Sequence, residues 1–395
     1  MIWKLAIRNI FGAGLRTWLN VFVLSLVYFT IIALQGLYDG WQQDTYTQIK
    51  KWDIGGGQYW QKEYDPLDPF SFDDSHGLIP QELVDMISRK EAVPILLSPA
   101  AAYPEGRMRN ILLKGIPHDQ ELLEIPTHLF ETDNEGLEAL IGMRTADALD
   151  LKEGDYITIR WRDNNGTFDA NEVEIIGVFN TTVVSVDANQ LWLPLKRLQD
   201  MLLMNNEATI ITIANEHFSP VLPGWERKDL SFLLRDLDSM IEAKKTGSSI
   251  MYILIMFMAM IAIFDTQILA IFRRRKEMGT LMALGLTRIR LIKLFTLEGI
   301  LHAVLAIGVG AIYGIPLLRY FEKVGYQFNF EGGDFGISGI SDGIYPEYGW
   351  RLVVGTIILV LVITTIVSFL PTRKISKLKP TDALKGKFTV TGRKK

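Results

Sequence analysis

Four long runs of apolar residues constrain the fold of this chain more than any other feature of its sequence. Each run has about 19 to 25 residues, and a helix that rises about 1.5 Å per residue needs about 20 residues to cross the hydrocarbon core of a bilayer. Buried helices of globular proteins are usually shorter and carry a polar face. The sequence therefore predicts four membrane-spanning helices, over residues 17–38, 249–272, 291–320 and 349–371.

The charged residues between these runs predict how the chain crosses the membrane. Residues 1–16, 273–293 and 372–395 together hold 19 basic and two acidic residues, whereas residues 39–248 hold 19 basic and 36 acidic residues. Loops on the cytoplasmic side are enriched in Lys and Arg. We therefore expect cytoplasmic termini and a cytoplasmic loop at 273–290, with residues 39–248 and the loop 321–348 on the other side. The cations of RRRK (273–276) are then a membrane-flanking cluster, which disfavours a nucleic-acid partner.

The two cytoplasmic ends have different patterns. Residues 1–16 place Trp3, Ile7 and Ile10 near one helical face, and Lys4 and Arg8 interrupt that face at helical spacing. This pattern predicts an amphipathic helix in the headgroup layer, although its second half could equally extend the first spanning helix. Residues 372–395 form a basic tail, which is predicted to be unstructured from its glycine at position 386.

Residues 39–248 predict a mixed α+β domain inserted between the first two spanning helices. Residues 80–90 and 193–204 have helical spacing, whereas residues 107–116 and 208–214 have the composition of strands. LKEGDYITIRW alternates apolar and polar residues before the turn sequence DNNG, which predicts a hairpin over 155–180. The segments 53–79 and 329–349 are rich in Gly, Asp and Pro, so we expect irregular structure there, with GGGQYW (55–60) as a flexible turn.

The sequence carries no recognisable motif for catalysis. It contains no G-x-x-x-x-G-K-[ST], no H-E-x-x-H, no G-x-S-x-G and no cysteine, so P-loop, zinc-protease, hydrolase and thiolate chemistry have no support. We predict that the chain is not an enzyme and that it holds no cofactor or metal of its own.

A few polar and small residues inside the apolar runs are candidate functional residues, because ionisable groups are costly in a membrane. Asp265 either extends toward the cytoplasmic surface and pairs with an arginine, or has a functional role. Glu298 and His302 share one helix face, which indicates a helix contact or, alternatively, a proton relay. Gly310 and Gly314 continue a small-residue stripe that would let another helix approach closely.

Three motifs give the chain a resemblance to a known family. They are RRRKEMGTLMALGLT after the second apolar run, TLEGIL in the third and LPTRKISKLKPTDALKG after the fourth. The chain resembles the FtsX-like permeases of ABC transporters, the group of MacB and of the lipoprotein-releasing LolC and LolE subunits. Met278 and Leu286 depart mildly from the usual family residues. The positions that match the family pattern are Glu277, Gly279, Ala283, Leu284, Gly285, Glu298, Pro371, Pro380, Ala383 and Leu384.

The resemblance implies a mechanical function on a bacterial inner membrane. In such permeases a short cytoplasmic coupling helix docks in a groove of a separate ATPase, which binds ATP and Mg²⁺, and two permease subunits form a homodimer or heterodimer. The format of the chain is closest to lipoprotein-releasing permeases, which extract lipid-anchored cargo from the membrane. Regulation of an envelope protein without transport, and MacB-like export of peptides or drugs with a periplasmic adaptor, are the alternatives. The predicted coupling residues are Glu277, Met278, Gly279, Leu281, Met282, Ala283, Leu284 and Gly285.

Overall fold

The computed structural model describes residues 2–12, 14–131, 136–273, 280, 282, 285–326 and 344–375. The chain divides into two compact units. The helical unit consists of Met1–Gln42, Ile241–Phe328 and Gly343–Lys395, and the sheet unit consists of Gln43–Met240 and Asn329–Asp342. The helices are α1 (Ile2–Gly12), α2 (Leu15–Ile49), α3 (Gln81–Ser88), α4 (Met143–Leu149), α5 (Val184–Asp187), α6 (Leu195–Leu202), α7 (Leu230–Leu233), α8 (Arg235–Arg273), α9 (Arg288–Val324) and α10 (Trp350–Ile375).

Four helices in the described part of the chain are long and apolar enough to cross a membrane. Their apolar stretches lie within Thr17–Ile54, Arg235–Asp265, Arg288–Val324 and Trp350–Arg373. Both α2 and α8 are longer than the spans predicted from hydropathy, since α2 continues to Ile49 and α8 begins at Arg235. Hydropathy predicts only the part of a helix that meets lipid. The helix itself extends further, because its backbone hydrogen bonds continue through the polar residues on either side.

Side chains of all four long helices form the core of the helical unit. Val21, Leu24 and Tyr28 of α2 pack in one buried cluster with residues of the other helices. Those residues are Ile263 of α8, Ala303 and Ala306 of α9, and Val360 and Val367 of α10. The apolar runs are thus a helix bundle, in which each helix buries one side and exposes the other.

The segment before α10 packs closely against α2. The backbone N–H of Glu347 donates to the carbonyl oxygen of Gly36 at 2.9 Å. A Cβ at Gly40 would lie 2.0 Å from the carbonyl oxygen of Tyr345. Glycine at position 40 is therefore needed for this approach, because any side chain would collide with backbone.

Helix α1 is separate from α2, which begins at Leu15, and the position of α1 in the headgroup layer stays a prediction. The backbone at Gly14 has a φ of +62°, a conformation that favours glycine and breaks the helix. Ala6 and Ile10 are buried, whereas Trp3 is 55% exposed. Helix α1 thus buries one face against the protein and leaves Trp3 available to lipid.

Eleven strands lie in the part of the sheet unit that the structure describes. They are β1 (Gln58–Gln61), β2 (Gly77–Leu78), β3 (Ala92–Ala102), β4 (Arg109–Ile116), β5 (Leu137–Gly142), β6 (Tyr156–Arg162), β7 (Phe168–Phe179), β8 (Gln190–Pro194), β9 (Glu207–Ala208), β10 (Ile210–Ile213) and β11 (Trp225–Lys228). Nine strands pair in the order β11-β1-β10-β3-β4-β8-β5-β7-β6, and β3 also pairs with β6. Six of them, from β3 to β6, therefore close into a ring without a free edge, which protects the sheet from further pairing.

The ring encloses an apolar core, as the alternation in the sequence predicts. Ile157, Ile159 and Trp161 of β6 are buried, whereas Tyr156 and Arg160 are exposed. Strand β7 pairs antiparallel with β6, with Ile157 opposite Val173. The predicted hairpin over 155–180 is confirmed, as are helices within 80–90 and 193–204 and strands within 107–116 and 208–214.

The prediction of irregular structure over 53–79 was wrong for part of that segment. Residues 58–61 form β1, which pairs with β10 on one side and β11 on the other. The glycines of GGGQYW allow this insertion: a Cβ at Gly56 would lie 2.2 Å from the carbonyl oxygen of Ala214. The glycine run is thus a site of close backbone approach rather than a flexible turn.

Candidate functional site

The predicted coupling segment lies mostly outside the described residues. Glu277, Met278, Gly279, Leu281, Ala283 and Leu284 are among the residues that the structure does not describe, and their role remains a prediction. Met282 and Gly285 are described. The backbone N–H of Gly285 donates to the carbonyl oxygen of Met282 at 3.1 Å, and its φ is +95°. Glycine readily adopts this left-handed conformation, which is suited to the end of a helix.

The end of the segment is fixed to the start of α9. Leu291 and Phe295 of α9 are buried, and Met282 and Leu286 pack against them. Met282 was predicted to lie on the apolar side that a partner covers, and the structure gives it this contact within the chain. These four side chains hold the end of the segment against the start of α9.

Glu298 lies in the contact between α1 and α9. Its side chain is 5% exposed, and its Oε1 accepts a hydrogen bond from Nδ2 of Asn9 at 2.6 Å. His302 donates from Nδ1 to the backbone carbonyl of Glu298 at 2.6 Å. The spacing in the sequence placed Glu298 and His302 together, but no local pattern indicated Asn9, which is 289 residues away in the chain.

We expect Glu298→Ala to weaken the contact between α1 and α9 and Glu298→Gln to preserve most of it. Alanine removes the acceptor and leaves the Asn9 amide without that bond, which costs about 1–3 kcal/mol, whereas glutamine keeps an Oε1. The free energy of unfolding, measured by SDS titration in mixed micelles, reports this difference. Equal stability of the two variants would contradict a role for the Asn9 hydrogen bond.

The remaining intramembrane candidates occupy two different positions. Gly310 and Gly314 of α9 lie against α2, because a Cβ at each would be 3.5 Å from Ser25 Cβ and Phe29 Cδ2 respectively. Tyr313 between them donates to Ser25 Oγ at 3.1 Å. Asp265 has an exposed side chain on α8, and within the described part of the chain no salt bridge joins it to an arginine.

These features define a class of protein. Four apolar helices, a packed helical unit and a separate sheet-rich domain early in the chain form a multi-pass membrane protein. Among the described residues no cluster of His, Asp and Glu side chains is arranged to hold a metal ion. Two polar contacts inside the helical unit, Asn9 with Glu298 and Tyr313 with Ser25, join helices to one another.

Comparison with known proteins shows what this chain is similar to. Residues 249–380 match the FtsX-like permease C-terminal family. The chain is 23% identical over 227 residues to the macrolide export ATP-binding/permease protein MacB of Campylobacter fetus subsp. fetus, covering 55% of this chain and 32% of that protein. It is 23% identical over 273 residues to an uncharacterized ABC transporter permease of Methanocaldococcus jannaschii, covering 64% of this chain and 63% of that one. Over residues 249–380 the chain is thus similar to the FtsX-like permeases, and it is also similar to ABC transporter permeases of the MacB type.

The matched part is limited in extent. The chain spans about a third of the length of the first of these relatives and less than two thirds of the second. The family match covers the second half of α8, all of α9 and all of α10. It therefore includes three of the four apolar helices and the predicted coupling segment.

Proposed function

We propose that this chain is the membrane subunit of an ABC transporter in a bacterial inner membrane, with both termini in the cytoplasm. A separate ATPase binds and hydrolyses ATP with Mg²⁺, and the sheet unit on the opposite side of the membrane moves in response. The match of residues 249–380 to the FtsX-like permeases carries this proposal. The basic flanks of the apolar runs and the acidic composition of residues 39–248 support the orientation.

The helices α2 and α8 support a mechanical mechanism. Each of them contributes residues to both the helical unit and the sheet unit. A continuous hydrogen-bonded helix can carry displacement along its axis, and we propose that α2 and α8 serve this role. No step in this mechanism requires a catalytic residue in the chain.

A second permease subunit is part of the proposal. Helix α8 exposes several large apolar side chains, which need lipid or another helix to cover them. These residues are Ile253, Leu254, Phe257, Met258 and Ile261. A homodimer and a heterodimer would both satisfy this requirement.

We propose lipid-anchored proteins as the cargo, extracted from the outer leaflet of the membrane. Export of a small amphiphile, with a periplasmic adaptor, is the second candidate, because one relative is named as a macrolide exporter. Mass spectrometry of the complex purified from its native membrane separates the two. Co-purified acylated protein supports extraction, whereas an adaptor without acylated protein favours export.

The orientation is tested by cysteine labelling, for which the chain has no background because it lacks cysteine. Asn165→Cys lies in the exposed turn between β6 and β7, and Thr287→Cys lies in the predicted cytoplasmic loop. We expect a membrane-impermeant maleimide to label Asn165→Cys in intact spheroplasts and Thr287→Cys only after permeabilisation. Labelling of both positions only after permeabilisation would place the sheet unit and the loop on one side and refute the proposal.

A further inference from the structure

The sheet unit contains a cavity of about 850 Å³ that the proposed mechanism does not use. This volume is within the range of about 300–1,000 Å³ that is usual for ligand sites. Strands β1, β4 and β8 and helix α7 supply much of its wall. The wall has a buried polar part and an aromatic part.

Lys114 is the central group of the polar part. Its side chain is 8% exposed, and its Nζ donates to the carbonyl oxygen of Ser185 at 3.0 Å. The same Nζ lies 4.8 Å from the centre of the Trp192 ring. Burial lowers the pKa of Lys114, and the nearby carboxylate of Asp53 opposes this shift. An ammonium group has three N–H donors, so Lys114 can donate further hydrogen bonds into the cavity.

Gln190 provides an acceptor next to this donor. Its side chain is 8% exposed, and its Nε2 donates to the Ser185 carbonyl at 2.6 Å. Its Oε1 is buried and has no hydrogen-bond partner among the described residues. A buried acceptor without a partner costs about 1–3 kcal/mol, so a ligand that donates a hydrogen bond here would recover that cost. Lys114 and Gln190 therefore present a donor and an acceptor around one carbonyl group.

Aromatic side chains form the other part of the wall. Trp60 packs edge-to-face against Tyr64, with ring centroids 5.1 Å apart, and against Phe232 at 5.8 Å. Tyr64 in turn packs against Phe72 at 5.7 Å. Such surfaces bind apolar side chains, especially aromatic ones.

The charges around the cavity are balanced. Lys62, Lys114, Lys228 and Arg235 are matched in number by Asp53, Glu63, Asp65 and Asp236. A site for a polyanion such as a nucleotide or a nucleic acid would have a large excess of cations. The balance favours a ligand without net charge.

We propose that this cavity binds a short uncharged peptide segment of another protein, with a large apolar side chain against the aromatic wall. A peptide carbonyl accepts a hydrogen bond from Lys114 Nζ, and a peptide N–H donates to Gln190 Oε1. A peptide group supplies both partners within one residue, as the polar part of the cavity requires. Peptide binding in this cavity does not require the ATPase, so it can be measured on the isolated permease.

The test uses the purified full-length chain in detergent and the photoreactive probe N-acetyl-4-benzoylphenylalanine amide. We expect illumination to form an adduct on residues 58–72 or 228–236, located by mass spectrometry, and an excess of N-acetylphenylalanine amide to prevent it. Adducts that this competitor does not reduce, or that occur only on the apolar helices, would overturn the proposal.

Variants then test the two polar contacts. We expect Lys114→Met and Gln190→Leu each to weaken binding of N-acetylphenylalanine amide by about tenfold, because each loses one buried hydrogen bond. Lys196→Met is the matched control, since this lysine is 77% exposed on α6, and it should bind as the parent does. If Lys114→Met does not fold, Gln190→Leu and the position of the adduct in the parent protein decide the outcome.

A lipid headgroup is the principal competing ligand. Dihexanoylphosphatidylcholine, used below its micelle concentration, represents a zwitterionic lipid. Protection by this lipid without protection by N-acetylphenylalanine amide would replace the peptide with a lipid ligand. Absence of any saturable binding would show that the cavity holds only water.

Discussion

Substitution of Leu284 by arginine is expected to abolish co-purification of the ATPase with this permease. Leu284 belongs to the predicted coupling helix, whose apolar side we propose to dock in a groove on the ATPase. A charge buried there without a counter-charge costs about 3–5 kcal/mol. That cost lowers affinity by about two to four orders of magnitude, which is enough to lose the complex during purification. Ala283→Asp should have the same effect.

We expect this substitution to leave membrane insertion of the permease intact. The packing that fixes the segment to α9 involves Met282 and Leu286, on either side of the substituted position. Leu203→Arg is a matched control, because Leu203 is 52% exposed in the sheet unit and far in sequence from the loop. Tagged permease variants are purified from membranes that contain the ATPase, and both proteins are quantified. Undiminished recovery of the ATPase with Leu284→Arg would remove the case for docking through this segment.

Substitution of Gly142 by alanine is expected to destabilise the sheet unit strongly. A Cβ at Gly142 would lie 1.8 Å from Asp187 Oδ1 and 2.7 Å from Asp187 Cα. Asp187 cannot move easily, because its side chain is buried and accepts hydrogen bonds from the backbone N of Arg144 at 2.9 Å and from Arg144 Nη1 at 2.8 Å. Thr145 also donates to the Asp187 carbonyl. Relieving the overlap would require a backbone shift or the loss of these bonds, at about 3 kcal/mol or more.

The effect of Gly142→Ala is measured as the unfolding temperature and the protease resistance of the purified protein. Gly77→Ala provides the control, because a Cβ at Gly77 would meet only the Gln61 side chain, at an ordinary 3.6 Å. We expect a large drop for Gly142→Ala and a small change for Gly77→Ala. Similar stability of the two variants would show that α5 can move away from β5 without cost.

The sequence determined the elements whose pattern is local and continuous. Four runs of about 20 apolar residues specify spanning helices, because a bilayer fixes the length of a helix that crosses it. The alternation of Ile157, Ile159 and Trp161 with polar neighbours specifies a strand with one buried face, because successive side chains point to opposite faces. The motifs around 273–287 and at Glu298 carry the resemblance to the FtsX-like permeases.

Only the tertiary structure decided which distant residues meet. Trp60 lies in a paired strand because β10 and β11, more than 140 residues away, supply partners for its backbone. Asn9 contacts Glu298, and Lys114 and Gln190 converge on Ser185, without any signal in their local sequence. The reason is physical: periodicity records whether a side chain is buried, but not which residue covers it. Which residue covers it depends on how distant segments of the chain pack together in the folded protein.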